Sequence, residues 1–200
     1  MKVNQDLPFS QSCENNKAAI LDILKRHLQG DESVLEIAGG TGQHCVYFTE
    51  QLPTLSWQSS DIPANVDSLN LRINAANREK LPTAITIDVN QPIWECAPSN
   101  VVFTANSLHI MSANSVENFF RGVGQQLSET GKVLVYGPFK YKDDFTTESN
   151  ASFDLWLKDR NPESGIRDFE WVCELASAVG LNLIEDNSMP ANNQLLVWSR

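Results

Sequence analysis

The sequence predicts an α/β fold: a three-layer sandwich around a seven-stranded, mostly parallel sheet of order 3-2-1-4-5-7-6, its last strand antiparallel. Three observations carry this. Short apolar runs alternate with helical patterns along the chain, which builds parallel sheets covered by helices on both faces. The first run, Val34 to Ile37, leads into the glycine-rich turn Gly39-Gly40-Thr41-Gly42 and then a helical pattern. Finally, about eight residues, Asp186 to Asn193, separate the last two strands, too few for a parallel crossover.

Ser12 caps a first helix with Glu14 in its first turn, Ile20, Leu21, Leu24 and Leu28 form its stripe, and Gly30 ends it. Strand one is Ser33 to Ile37. The helix after the turn carries Cys45, Phe48 and Leu52 and stops at Pro53. Strand two, Leu55 to Ser60, ends at Asp61. Val66, Leu69, Ile73 and Ala76 mark the next helix. Strand three is Ala84 to Ile87, closed by Asp88. Strand four is Val101 to Ala105, followed by Asn106. Val116, Phe119, Phe120, Val123 and Leu127 recur at helical spacing, and Glu129 to Gly131 turns the chain into strand five, Lys132 to Tyr136. The polar stretch 137–167 holds one short helix around Phe153, Trp156 and Leu157. Asp168 caps a helix carrying Val172, Ala176 and Val179, before strands Leu181 to Glu185 and Gln194 to Trp198.

The 200 residues form one expected domain, 1–200, large enough for a full core. A net charge of −10 with scattered Lys and Arg argues against a nucleic-acid partner. No apolar run reaches the roughly 20 residues of a membrane helix. Met1 to Ser12 lacks the apolar core of a secretory signal. Cys13, Cys45, Cys96 and Cys173 form no C-x-x-C and read as reduced, mostly buried thiols of a cytoplasmic protein, with no metal site.

A strand, a glycine turn and a helix N-terminus are how open α/β sheets approach a nucleotide, although a plain βα turn can carry the same glycines. Glu36 inside the strand end and Asp61, 19 positions past Gly42, refine the reading. An acid at that distance is placed for ribose hydroxyls. The dehydrogenase fingerprint fits badly, because its third glycine falls on Cys45. Acid-x-x-x-Gly-x-Gly instead resembles motif I of class I S-adenosylmethionine (AdoMet) methyltransferases, with Ala38 where a first glycine is usual. The reversed final strand is also the methyltransferase arrangement.

Longer strings resemble one narrow family, DUF938 or methyltransferase-like 26. They include Leu35-Glu36-Ile37-Ala38-Gly39-Gly40-Thr41-Gly42-Gln43-His44, Trp57-Gln58-Ser59-Ser60-Asp61, Asn106-Ser107-Leu108-His109-Ile110, Tyr136-Gly137-Pro138-Phe139, Ser149-Asn150-Ala151-Ser152-Phe153-Asp154, Gly165-Ile166-Arg167-Asp168 and Met189-Pro190-Ala191-Asn192-Asn193. The resemblance implies a Rossmann-like AdoMet methyltransferase fold, with no established substrate. A serine is common there at the position of Gly39, which reads as a harmless change in a turn.

AdoMet offers a sulfonium, an ammonium, a carboxylate, a ribose and an adenine. Expected around it are Glu36 toward the cationic methionine end, Ala38, Gly40 and Gly42 in the turn, Asp61 on both ribose hydroxyls with Ile62 beside it, Asp88 and Val89 at the adenine, and Asn106 at the ammonium. His109 is the candidate base, against a purely structural role in its loop. His44, in the first turn of its helix, is expected to be neutral. The segment 137–167 and the turn 186–193 share the carboxyl edge of the sheet, so Tyr136, Phe139, Asn150, Arg167, Asn192 and Asn193 are expected to bind a small polar substrate. Arg167 would take a carboxylate or phosphate. Against this, Asn192 and Asn193 can simply pin the turn, and Arg167 can pair with Asp168 or Asp154. The expected function is methyl transfer to that molecule; the alternatives are a non-catalytic AdoMet-binding module or a nicotinamide-dependent enzyme.

Overall fold

A computed structural model describes residues 7–200. The reading of Met1 to Ser12 thus lies partly outside the described residues. The backbone groups into two compact units, Met1–Ile87 and Asp88–Arg200.

The first unit contains α1 (Gln11–His27), β1 (Ser33–Ile37), α2 (Gln43–Gln51), β2 (Ser56–Asp61), α3 (Pro63–Ala76) and β3 (Ile85–Thr86). The cap of α1 is Ser10, not Ser12: the Ser10 hydroxyl accepts from the Cys13 N–H, which leaves Ser12 inside the first turn. Strands β1 and β2 pair in parallel, Leu35 opposite Gln58 and Glu36 opposite Ser59. Strand β3 is shorter than its apolar run and pairs only through Ile85 and Thr86.

The second unit begins with β4 (Ser99–Ala105), α4 (Ala113–Gln126) and β5 (Leu127–Gly137). The expected turn at Glu129 to Gly131 is absorbed into β5. Pairing with β4 jumps from Ser99 opposite Leu127 to Val101 opposite Lys132, so the intervening residues bulge out of an otherwise continuous strand. There follow β6 (Phe139–Tyr141), β7 (Asp144–Phe145), α5 (Glu148–Arg160), β8 (Arg167–Asp168), α6 (Phe169–Ala178), β9 (Asn182–Met189), a 3-10 turn (Pro190–Asn192) and β10 (Asn193–Ser199). Strands β6, β7 and β8 form a small separate sheet of order β7-β6-β8 that the sequence reading lacks. Helix α5 is capped by Thr147, and α6 by Asp168 as expected.

The main sheet runs β3-β2-β1-β4-β5-β10-β9, the predicted order once β9 and β10 are taken as strands six and seven. Strand β10 is antiparallel to both neighbours: Leu195 faces Tyr136 on one side and Asn187 on the other. Strand β9 extends to Met189, so the link is only Pro190–Asn192. The core of this unit lies in consecutive buried residues, Val101 to Phe103, Val133 to Val135 and Leu195 to Trp198. Such unbroken apolar runs belong to strands covered on both faces. Among the described residues no helix is long and apolar enough to cross a membrane.

Candidate active site

In the first unit, β1 ends in a loop whose backbone repeatedly enters the left-handed region: Ala38 at φ 58°, Gly40 at 58° and Gly42 at 74°. Glycine adopts this region freely, whereas alanine does so at a cost. The loop is fastened to the end of β2. Gly39 donates to the Ser60 carbonyl at 2.9 Å, and Gly40 donates its N–H to Asp61 Oδ2 at 2.8 Å. Asp61 Oδ1 accepts from the Ile62 N–H at 2.8 Å and from the Asn65 amide at 3.0 Å. Asp61 is buried, while Ile62 beside it is exposed.

The three glycines do different things. Among the described residues, none comes within 4 Å of a Cβ placed on Gly40, so none of them closes the loop there. A Cβ on Gly42 would lie 3.0 Å from a Leu69 methyl and 3.3 Å from Arg72, so its smallness serves the packing of α3. At Gly39 the same atom would meet Leu69 at 3.0 Å and Glu36 Oε2 at 3.2 Å. A serine there is therefore tight rather than harmless, and Leu69 has to give way.

Glu36 is not at the surface of the loop. It is 2% exposed, accepts from the Trp57 indole N–H at 3.1 Å and receives a short hydrogen bond from the Ser59 hydroxyl. Burial pushes its pKa up to about 7, opposed by those two hydrogen bonds and assisted by the Asp61 charge. Both of these donors come from the neighbouring strand β2.

Sequence reasoning also missed how the start of α1 closes on this loop. Gln43 receives hydrogen bonds from the Ser10 N–H at 2.6 Å and the Thr41 hydroxyl at 2.9 Å. Its amide donates to Glu14 at 2.5 Å and to the Ser10 carbonyl at 3.2 Å. Arg72 donates to the Thr41 carbonyl at 2.8 Å and to the Pro8 carbonyl. Thr41 and Gln43 aside, the partners are 29 to 64 residues apart in sequence, and no local pattern announces them. His44 is buried against Asn16 at 2.7 Å and stacks on Phe48. Burial brings its pKa down to about 4, so it is neutral as expected, although desolvation is the main cause.

In the second unit, Asp88 folds back on its own turn, accepting from the Asn90 N–H at 2.9 Å, and Val89 is buried. Asn106 ends β4 at φ 56°, and its N–H donates to the Tyr136 carbonyl at 2.8 Å. His109 follows, 5% exposed, its ring meeting the Phe153 ring edge-on at 5.4 Å. Nδ1 lies 3.6 Å from where a Cβ on Gly137 would sit. Burial, with a smaller contribution from the Arg167 charge, brings the imidazole pKa down to about 4.

Arg167 pairs with neither Asp168 nor Asp154. It donates to three backbone carbonyls: Leu108 at 3.1 Å, Glu163 at 2.8 Å and Met111. The expected meeting of α5 with the β9–β10 turn occurs. Asn150 donates to the Asn192 carbonyl at 3.0 Å, and Asn192 donates to the Ser149 hydroxyl at 3.2 Å. Asn193 only pins its turn, through the Pro190 and Ala191 carbonyls. Tyr136 and Phe139 are core residues, 3% and 1% exposed. Of the cysteines, only Cys45 is buried and the other three are half-buried. Burial raises all four thiol pKa values, Cys173 to about 11.

Solved structures resemble the fold. An O-methyltransferase family protein from Burkholderia thailandensis superposes at TM-score 0.79 and 18% identity, covering 92% of this chain and 56% of that one. An O-methyltransferase family 2 protein from Planctomyces limnophilus, in complex with apigenin, gives 0.80 and 16%, covering 94% and 58%. Human N-acetylserotonin methyltransferase in complex with SAM gives 0.73 and 13%, covering 92% and 54%. The chain spans little more than half the length of these proteins, and the likeness is one of fold. The family model described as a protein of unknown function, DUF938, matches residues 7–200, and the chain belongs to that family.

Proposed function

We propose that the chain is an AdoMet-dependent methyltransferase acting on a small polar molecule. The observation that carries the reading is the loop at the end of β1. None of the described residues would touch a Cβ on Gly40, and the Gly40 N–H is held by Asp61, the acid at the end of the neighbouring strand. An open glycine beside a fixed carboxylate suits a ligand with ribose hydroxyls. A carboxylate has about four acceptor positions. Gly40, Ile62 and Asn65 engage three of them, so Asp61 has room for one hydroxyl rather than two.

In this reading Ala38, Gly40 and Gly42 shape the loop, Glu36 supports it from beneath, and exposed Ile62 offers apolar contact beside the ribose. Asp88 and Val89 are assigned to the adenine, and Asn106 to the ammonium. Bound AdoMet would supply an activated methyl group, which leaves the chain to orient an acceptor and take up its proton. His109 is neutral near pH 7 and can accept a hydrogen bond or a proton at a ring nitrogen. Segment 137–167 is assigned to the substrate side of one functional domain, with Asn150 and Asn192 as its polar contacts. The acidic net charge supports a small-molecule partner over nucleic acid. Four free thiols support a cytoplasmic setting.

A second reading, AdoMet binding without catalysis, is favoured by one observation. Burial leaves the His109 imidazole a weak base. Calorimetry with AdoMet and NAD, followed by a methyl-transfer screen on small acids, thiols and phenols, separates the readings. AdoMet is expected to bind and NAD not to. Asp61→Ala, in folded protein, should weaken AdoMet binding by about 1–3 kcal/mol. Preference for NAD, or unchanged AdoMet affinity in that variant, sinks the assignment.

A further inference from the structure

The turn after β4 is held in an unusual way. Each of its four successive carbonyls is bound by the short segment Ser164–Arg167. Leu108 O accepts from Arg167 Nε at 3.1 Å. His109 O accepts from the Gly165 N–H at 2.9 Å. Ile110 O accepts from the Ser164 hydroxyl at 2.8 Å. Met111 O accepts from the other arm of the Arg167 guanidinium. A turn ordinarily leaves such carbonyls to water, and one charged fork bridging two of them is a strong constraint.

The segment is itself fixed. Arg167 lies in β8, with Phe139 of β6 opposite it in a parallel pair. The Ile166 N–H donates to Asp154 Oδ1 at 2.7 Å, and Asp154 is tied to Lys158 at 2.6 Å within α5. Gly165 has no room for a side chain, since a Cβ there would lie 2.9 Å from Asp154 Oδ1. Asp154, Ile166, Gly165 and the His109 carbonyl thus form a connected path. At its end, the His109 ring packs on Phe153 of the same α5 helix and points Nδ1 toward Gly137.

We propose that Ser164–Arg167 is the positioning element for His109, and that Arg167 acts on the backbone of the histidine turn rather than on a substrate anion. The functional consequence rests on the reading of His109 as the group that meets the methyl acceptor. Placement of the imidazole would then depend on a guanidinium that touches no reacting atom. A lysine could not substitute, because a single ammonium does not reproduce a planar fork spanning two carbonyls.

The test uses the protein alone, so it fails or succeeds independently of AdoMet binding. Gly165 amide exchange and the His109 ring resonances are followed by NMR in the wild type, R167Q, R167K and S164A. In R167Q the Gly165 N–H should exchange about tenfold faster, the loss expected from one or two local hydrogen bonds. The His109 ring signals should move, and the titration midpoint should rise toward the ordinary histidine value as the facing Arg167 charge is lost. Asp154 and Lys158, the other charges on the path, are unchanged. R167K should shift the ring signals and speed exchange like R167Q while keeping the low midpoint, which separates the fork from the charge. S164A removes one hydroxyl and keeps the charge, so it should give the R167K changes, shifted ring signals and faster exchange with a low midpoint, at smaller amplitude, and it decides the matter if R167Q does not fold. Wild-type exchange and ring signals in the arginine variants, or in S164A where R167Q does not fold, would overturn the proposal.

Discussion

Two strand-end turns, one in each unit, solve the same backbone problem with opposite polarity. In the first unit, β1 ends at a left-handed Ala38 and the following loop is fixed by a carboxylate that gathers N–H groups. In the second, β4 ends at a left-handed Asn106 and the following turn is fixed by donors that gather C=O groups. An acid organises the loop read as the cofactor's. A guanidinium, a hydroxyl and an amide organise the turn that carries His109. In both places the charged residue that sequence reading offers to a ligand is at least partly engaged by the protein's own main chain. A strand-end charge is therefore evidence of an ordered loop first, and of a ligand only with a further observation such as the open side of Gly40.

The largest effect should come from breaking the acid-held loop. Asp61→Ala removes the acceptor of the Gly40 and Ile62 N–H groups and of the Asn65 amide at a buried position. Each donor left without a partner costs about 1–3 kcal/mol where water cannot replace it. The expected loss of folding stability is about 2–4 kcal/mol by urea denaturation, a range reached without full additivity. A loss below about 1 kcal/mol would mean that the carboxylate does not organise the loop and would remove the comparison's first term.

Next in size is a pH effect carried by Glu36. Its folded pKa is raised from 4.5 to about 7, so the folded state binds its proton more tightly than the unfolded chain. Its favourable contribution is complete below pH 4.5 and is lost as pH rises through 7. In Glu36→Gln nothing titrates there, while the amide oxygen can still accept from Trp57 and Ser59. The stability of E36Q relative to the wild type should therefore improve on going from pH 4.5 to pH 8, by up to about 3 kcal/mol. His44 and His109 act with the opposite sign, since their folded pKa values of about 4 withdraw stability as pH falls below 6.5. Subtracting the two stability curves cancels these histidine contributions. A flat difference would place the Glu36 carboxylate in a better-solvated setting than its 2% exposure implies.

The direction of the last strand was legible because connection length decides it: a short link cannot make a parallel crossover, and β10 is antiparallel to both its neighbours. Asp168 was legible because a cap is a local matter, settled by the Trp171 N–H three residues on. The small sheet of β6, β7 and β8 was not. Its strands are two or three residues long, too short to show alternation. The site was read at the level of residue types and not of partners. Glu36, Asp61 and Arg167 each stood out, but a sequence does not say whether a charge meets a ligand, an indole or a carbonyl. The Glu36 neighbourhood was closest to being readable, because parallel register sets Ser59 opposite Glu36, with Trp57 two residues before it. The tightness at Gly39 was hidden for a related reason: the obstacle to a side chain there is Leu69, on another helix.

The smallest predicted effect probes the two left-handed strand ends themselves. Ala38 and Asn106 have nearly the same φ, 58° and 56°, but different chemistry. A β-carbon in this region costs roughly 1–2 kcal/mol, while asparagine is among the few residues that tolerate it through local hydrogen bonding. Glycine removes the strain at either position but loses about 0.5–1 kcal/mol through the freedom of the unfolded chain. The two contributions leave Ala38→Gly stabilising by about 0.5–1 kcal/mol. At Asn106 there is less strain to relieve, so Asn106→Gly should be neutral or destabilising by up to about 1 kcal/mol. Thermal and urea denaturation of the two single variants, made side by side, read the difference directly. Equal shifts would mean that Ala38 carries no more strain than Asn106. A destabilised Ala38→Gly would mean that the alanine methyl contributes packing that outweighs its backbone cost, and that the loop depends on contacts made by Ala38 as well as on the hydrogen bonds gathered by Asp61.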